Sequence, residues 1–215
     1  LAEALAYKVR YGEFEESGRA ARELDMRLRQ ETGIAKAPFV AKYVRLLVEE
    51  TGQPVVLFGW HRDVYDIWNA ELQDLGTVMY TGTESPGQKA QAQARFLAGE
   101  AKVFIMSLRS GAGLDGLQHV ASTCVFGELD WSPAMHDQCI GRLNREGQRC
   151  WPERVNAIFL VADDGADPPM MEVLGIKASQ AHHIVDAGLG PQAVHSDRST
   201  IDRLVARYLR EESAA

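Results

Sequence analysis

Gln138, Arg142 and Arg145 stand at i, i+4 and i+7, a spacing that puts all three on one helical face if the helix continues that far. An amide and two guanidiniums aimed the same way suit a polyanion, because planar guanidinium forks grip phosphate oxygens bidentately and never lose their charge. A solvated basic face with Glu146 as ion-pair partner is the commoner fate of such arginines, but it leaves the flanking Asp130-Trp131 and Gly147-Gln148 unexplained. A second candidate is the loop Ser107 to Gln118. Its Gly111, Gly113 and Gly116 permit close backbone approach and positive φ, so amides can converge on a phosphate. Asp115 there either accepts from a ribose hydroxyl, orients an arginine, or simply caps a helix. The third candidate, Gly59-Trp60-His61-Arg62-Asp63, offers amides and Arg62 to a nucleic-acid backbone, or does no more than cap the next helix.

These loops need elements to hold them. Val55-Val56-Leu57-Phe58 is a continuous apolar run of strand length, which predicts a strand covered on both faces of a parallel sheet. Val103-Phe104-Ile105-Met106 reads as another buried strand and Thr123-Cys124-Val125-Phe126 as a further one. Thr77-Val78-Met79-Tyr80 and Val155 to Val161 read as two further strands. Helical patterns fall between them: one carries Val64, Ile67, Trp68 and Leu72, one ends at Phe96, and one runs from Pro133 to Leu143 after the cap-like Ser132. Strands alternating with helices predict an α/β fold with a doubly wound, mainly parallel sheet, whose functional loops gather at the carboxyl ends of the strands. Each of the three candidate loops follows a strand.

The flanks read as helical additions. Leu1 to Glu31 has apolar residues at helical spacing, with a break near Gly12 or Gly18, and Gly33 is expected to end that region, with Pro38 starting the next helix. Phe39, Tyr43, Leu46, Leu47 and Glu50 give that helix a one-sided stripe. The expected organisation is a helical extension over 1–35, a lobe over 36–190 and a C-terminal helix over 191–215.

Composition narrows the classes. The chain of 215 residues is 46% hydrophobic and 25% charged, with mean hydropathy -0.22, which is ordinary for a globular protein. Its net charge of -7 argues against a surface coated in nucleic-acid-binding charge while leaving room for a local basic strip. No apolar run is long enough to span a bilayer, so no membrane partner is expected. Cys124, Cys139 and Cys150 lack disulfide-framework or CxxC zinc spacing and read as reduced thiols of a cytoplasmic protein. His182-His183 reads as a solvent-facing polar pair, and no metal site is expected there. The chain opens on Leu1 without a signal pattern and reads as a piece of something longer.

In order, these pieces resemble the second RecA-like lobe of a superfamily 2 helicase, specifically of the SNF2-like DNA-dependent ATPases. The Val-Val-Leu-Phe strand resembles motif IV. Tyr80, Gly82 and Arg95-Phe96 resemble the stretch that follows it. Ser107 to Gln118 resembles motif V, Asp130-Trp131-Ser132-Pro133 the family's D-W-N-P, and Gln138 to Gln148 motif VI. The resemblance covers roughly Lys36 to Val161. It implies that Arg142 and Arg145 reach ATP bound on a first lobe, with Arg145 as arginine finger stabilising charge on the transferred phosphoryl group. Gln138 then orients them or touches the nucleotide, Gly113 and Asp115 contact it through the ribose, and Ser107, Arg109, Ser110 and Arg62 lie near a DNA backbone. The implied partners are the N-terminal RecA-like lobe and double-stranded DNA, with RNA less favoured.

The sequence departs from the family where Asp115-Gly116-Leu117 replaces Gly-x-Asn-Leu and where Glu146 replaces an apolar residue. No Gly-x-x-x-x-Gly-Lys-[Ser/Thr] loop and no Asp-Glu-x-His box occurs, so ATP and Mg²⁺ are expected to be held mainly by the other lobe. The alternatives are a regulatory or protein-interaction module that keeps the fold, and a small self-contained nucleotide enzyme. The first expected outcome follows: the purified chain hydrolyses no ATP above background, and turnover insensitive to Arg145→Ala would overturn the two-lobe assignment.

Overall fold

The computed structural model describes residues 2–110, 114–148 and 155–175. Two helices, α1 (Ala2–Tyr11) and α2 (Phe14–Thr51), precede the strand-helix alternation β1 (Val55–Gly59), α3 (Arg62–Leu72), β2 (Thr77–Tyr80), α4 (Pro86–Leu97), β3 (Val103–Ser107), β4 (Thr123–Phe126), α5 (Pro133–Ile140), β5 (Asn156–Phe159) and α6 (Asp167–Leu174). All strand pairs are parallel, in the order β2-β3-β1-β4-β5. The chain builds one side of β1 with β2 and β3, then resumes on the other side with β4 and β5. The switch in winding therefore falls at β1 and β4, where open α/β sheets leave a crevice. Register sets Gly59 beside Ser107 and Phe58 beside Phe126, so the loops leaving β1, β3 and β4 start side by side.

Alternation along each strand divides the core. Val55, Leu57, Val103, Ile105 and Val125 pack towards Val40, Val44 and Trp68. Val56, Phe58, Phe104, Cys124 and Phe126 pack on the other face with Phe96, Leu117 and Cys139. Burial pushes the Cys139 thiol up to about 12 and the Cys124 thiol higher still, so both stay protonated and serve as packing. The start of α4 carries the capping box its sequence encodes: Ser85 Oγ accepts from Gln88 N–H at 3.3 Å, Gln88 Oε1 accepts from Ser85 N–H at 2.8 Å, and Pro86 opens the helix.

The expected helix break comes at Gly12, between α1 and α2, but not at Gly33 or Pro38. α2 runs through both for 38 residues. Ala37, Val40, Ala41, Val44 and Val48 all face the core, and this burial outweighs the local cost of an interior proline. The stripe named from sequence is also turned: Phe39, Tyr43 and Leu46 are exposed, and the smaller residues beside them make the buried face. Gly33 is needed for space, because a Cβ there would run into Glu128 Oε1 and stand 3.0 Å from Val64 Cγ2. α2 also anchors α6. The buried Lys36 ammonium donates to Asp167 Oδ2 at 2.6 Å and Leu160 O at 2.8 Å, and Thr32 Oγ1 accepts from Ala166 N–H at 2.9 Å. Among the described residues no helix is long and apolar enough to cross a membrane. The helix expected over 191–215 and His182-His183 lie outside the described residues, as does Cys150.

Trp68, wholly buried, lies against the carboxyl ends of β1 and β4, where only glycine leaves room. A Cβ on Gly59 would stand 2.6 Å from the Trp68 ring, whereas one on Gly82 would meet nothing within 4 Å. Gly59→Ala is therefore expected to cost about 1–3 kcal/mol of stability in urea unfolding, with Gly82→Ala close to neutral. Equal midpoints for the two variants would contradict this packing.

Candidate functional site

The loop after β4 carries a buried carboxylate, and that fixes the loop after β1. Glu128 Oε2 accepts Trp60 N–H at 2.7 Å and His61 N–H at 2.9 Å, and Oε1 lies 2.6 Å from His61 Nδ1. A carboxylate removed from water needs such donors, and these tie two neighbouring loops into one surface. Trp60 is thereby held at the edge of the sheet with its ring beside two arginines. The Arg109 guanidinium lies 4.6 Å from the ring centroid and that of Arg29, from α2, lies 6.0 Å away.

Between the arginines sits Asp130. Its Oδ2 is 3.4 Å from Arg109 Nη2 and 3.7 Å from Arg29 Nη2, while Oδ1 accepts Ser132 N–H at 3.0 Å. Arg29 also donates to Leu129 O at 3.2 Å. One turn earlier on α2, Asp25 accepts the Trp131 indole N–H at 2.7 Å. Trp131 is thus buried packing under α2. His136 completes this layer: its Nε2 accepts Asp130 N–H at 3.3 Å and its Nδ1 faces Ser132 O at 3.1 Å, which requires the neutral ring protonated on Nδ1. Burial lowers its pKa, in keeping with that form.

An open cavity of about 380 Å³ borders Trp60, lined by Trp60, Arg62, Tyr65, Thr81, Glu84 and Ser107 among others. Burial raises the Glu84 carboxyl, and hydrogen bonds from Thr81 N–H and from the Thr81 and Thr83 hydroxyls outweigh it, so the group rests below the ordinary carboxylate range. Ser107 is buried, Ser110 N–H donates to Ser107 O at 3.0 Å, and Arg62 projects into solvent beside Asp66 at 4.0 Å. Ser107, Arg109 and Arg62 are thus gathered round Trp60.

A second cluster forms at the far end of the same β3–β4 loop. Arg145 Nη1 lies 3.3 Å from Asp115 Oδ1 and donates to Leu114 O at 3.2 Å, while its Nε donates to Gly141 O at 2.9 Å. Asp115 is braced in turn: Gln118 Nε2 donates to its carboxylate at 2.9 Å and Gln93 Nε2 to its carbonyl at 2.7 Å. The helical face expected of Gln138, Arg142 and Arg145 does not form. α5 ends at Ile140 and a run of tight turns carries the chain on, with Arg142 N–H bonding Cys139 O and Leu143 N–H bonding Ile140 O. Gln138 stays exposed on α5, Arg142 lies against the Cys139 thiol, and Arg145 turns back to the β3–β4 loop. Gly113 lies outside the described residues. Among the described residues no three His, Cys, Asp or Glu side chains converge as metal ligands.

Sequence inspection overlooked Glu128, Asp25 and Arg29. An acid two residues beyond a fully apolar strand is a usable signal for Glu128; the two α2 residues are indistinguishable from its many other charges. For Asp115, hydrogen bonds from Gln118 and Gly116 N–H, then Arg145, hold the carboxyl below its ordinary range. A carboxyl lowered by folding lends stability above its unfolded pKa and loses it as pH falls through the folded one. The carboxyl carbon of Asp115 is therefore expected to titrate below the free-aspartate range by NMR. Arg145→Ala should move the midpoint up only in part, since Gln118 and Gly116 remain; an unmoved midpoint would show that the pair does not form in solution.

No protein-family model matches the chain. Among curated proteins it is similar to the SWI/SNF-related matrix-associated actin-dependent regulator of chromatin subfamily A-like protein 1 of Bos taurus, 28% identical over 138 residues, 63% of this chain and 14% of that protein. The human DNA annealing helicase and endonuclease ZRANB3 is 28% identical over 156 residues, 71% of this chain and 14% of that protein. The DNA repair and recombination protein RAD54-like of Drosophila persimilis is 28% identical over 137 residues, 61% of this chain and 17% of that protein. The chain thus spans about one seventh of the first of these relatives. Of solved structures, the C-terminal part of the Fun30 ATPase domain superposes with a TM-score of 0.60 at 17% identity, covering 81% of this chain and 52% of that one. The E. coli DEAD-box protein SrmB gives 0.53 at 19% identity, covering 65% and 76%. These structures share the fold.

Proposed function

We propose that this chain, which is an SNF2-like C-terminal RecA-like lobe, is one half of a DNA-dependent ATPase that moves along or remodels double-stranded DNA. The observation that carries the reading is the meeting of Arg145 with Asp115, 30 residues apart in sequence and 3.3 Å apart in space. It sets a cation and a hydroxyl-accepting carboxylate on one rim of the sheet. In this reading Arg145 leaves its carbonyl and carboxylate partners to face the γ-phosphate of ATP held on an N-terminal lobe. A guanidinium there offsets the charge that builds on the equatorial oxygens during phosphoryl transfer. Arg142 is its partner, Gln138 the amide that orients them or meets the nucleotide, and Asp115 with Gly113 the ribose contact.

Mg²⁺ is assigned to the other lobe, which would also cradle the β- and γ-phosphates; this lobe's contribution is positive charge and orientation. The cluster round Trp60 takes the second task. Arg109 and Arg62 offer exposed guanidiniums and Ser110 a hydroxyl to a phosphate backbone, while the buried Ser107 steadies the loop of Arg109 and Ser110 by accepting the N–H of each. Such contacts position a duplex without reading its sequence.

The test uses the parent polypeptide that joins both lobes. Duplex DNA should stimulate its ATP hydrolysis more than RNA does, and Arg145→Ala should lower the stimulated kcat about 10³-fold or more, the scale of a lost arginine finger. Turnover that survives in the variant would remove the finger role. A parent protein that turns over no ATP with or without DNA would favour the interaction module instead.

A further inference from the structure

Asp25, Arg29, Asp130 and Arg109 form a row of alternating charge. It begins on α2 and ends at the loop after β3, with separations of 3.9, 3.7 and 3.4 Å. Exposure changes sharply along it. The Arg29 side chain is 13% exposed and that of Asp130 5%, whereas that of Arg109 is 56% exposed. The inner members cannot touch a macromolecule; the outer one can. The Trp60 ring lies alongside, closest to Arg109, and its own backbone is pinned by Glu128.

We infer that Trp60 and Asp130 are positioning residues for Arg109: the ring and the carboxylate hold its guanidinium at the sheet edge, ready for a phosphate of duplex DNA. The inference rests on the DNA-contact reading above and deepens it. A free arginine surrenders much rotamer freedom when it grips a phosphate, so an arginine already ordered loses less on binding. The indole face supplies a hold that leaves the guanidinium charge intact. Asp130 supplies direction, and by itself it would neutralise Arg109. Arg29 shares that carboxylate from the buried side, which leaves the exposed end of the row positive. Glu128 extends the arrangement backwards, since the loop it fixes is the one that carries the ring.

The test is duplex DNA binding by the 215-residue chain, followed by fluorescence anisotropy across a low-salt series, with thermal unfolding run on each variant. Arg109→Ala should weaken binding and flatten the salt dependence by about 0.9 in log K against log[salt], the effect of one lost phosphate contact. Trp60→Leu should weaken binding about three- to fivefold at unchanged net charge, and Trp60→Phe, which keeps an aromatic face, should restore most of it. Asp130→Asn separates positioning from plain charge. It makes the chain more positive, so a charge effect alone predicts tighter binding, whereas loss of positioning predicts weaker binding. Trp60→Leu binding like the parent while Arg109→Ala is weak overturns the positioning role and leaves the DNA reading standing; tighter binding by Asp130→Asn does the same. Arg109→Ala binding like the parent sinks the DNA reading at this residue. Weaker binding by Trp60→Leu that Trp60→Phe fails to restore, or that merely tracks a fallen unfolding temperature, also rejects the positioning role.

Discussion

A carboxylate taken out of water must find donors, and Glu128 finds them on a neighbouring strand's loop. The side chain is almost wholly buried where the winding of the sheet changes sides, so leaving its oxygens unmet would cost several kcal/mol. Two backbone N–H groups and the His61 ring meet them. The demand is geometric as well as energetic. The loop after β1 must take one conformation to present both amides, Trp60 must follow, and α2 must pass close overhead, where Gly33 gives it room. One buried charge thereby fixes the relative placement of β4, β1, α2 and the aromatic ring at the sheet edge.

The same contact explains why some of the architecture was legible in sequence and some was not. Val55–Phe58, Val103–Met106 and Thr123–Phe126 announce themselves because strands buried on both faces must be apolar at every position. The burial of every residue in β1 and β3 bears this out, and in β4 the three residues after the half-buried Thr123 follow the same pattern. Gly33 and Pro38 carry an equally plain local signal, and it misleads. Glycine at 33 serves the approach of Glu128, a partner 95 residues away that no local window contains. Proline at 38 is tolerated because Ala37 before it and Val40, Ala41 and Val44 after it are committed to the core. The same helix shows that side-chain size misidentifies a buried face: Ala37, Val40 and Ala41 fit against the sheet at close range, and the bulkier Phe39 and Tyr43 are left outside.

The site was legible as an inventory and not as a geometry. Arg145, Asp115, Ser107 and Arg109 are conspicuous by type and by neighbours, but only Ser107 and Arg109 stand where a loop leaves a strand, while Asp115 and Arg145 meet farther along the β3–β4 loop. Periodicity extended α5 past Ile140, however, because the 3.6-residue rule has no term for Gly141 and the turns beyond it. Once the helix stops, Arg145 is free to double back, and its partners are two carbonyls and an aspartate rather than a shared face with Gln138. Arg29 has no sequence signal at all; its role comes from Leu129 and Asp130, contacts made across 100 and 101 residues.

The way Arg145 is held bears on how a finger can work in the proposed motor. Its carboxylate partner is exposed, and ion pairs open to water are worth little; its other partners are neutral carbonyls, which bind a guanidinium less strongly than an anion does. A phosphate presented by a second lobe therefore offers more than the resting contacts surrender. Asp115 does not collapse when the arginine departs, because Gln118 and Gln93 still hold it, and Gly116 N–H in turn steadies Gln118 through its Oε1 at 2.9 Å. The loop whose far end carries Arg109 keeps its anchor through the exchange. A weakly tethered arginine beside a strongly braced aspartate is thus a combination that lets one group move while the surface next to it stays in place.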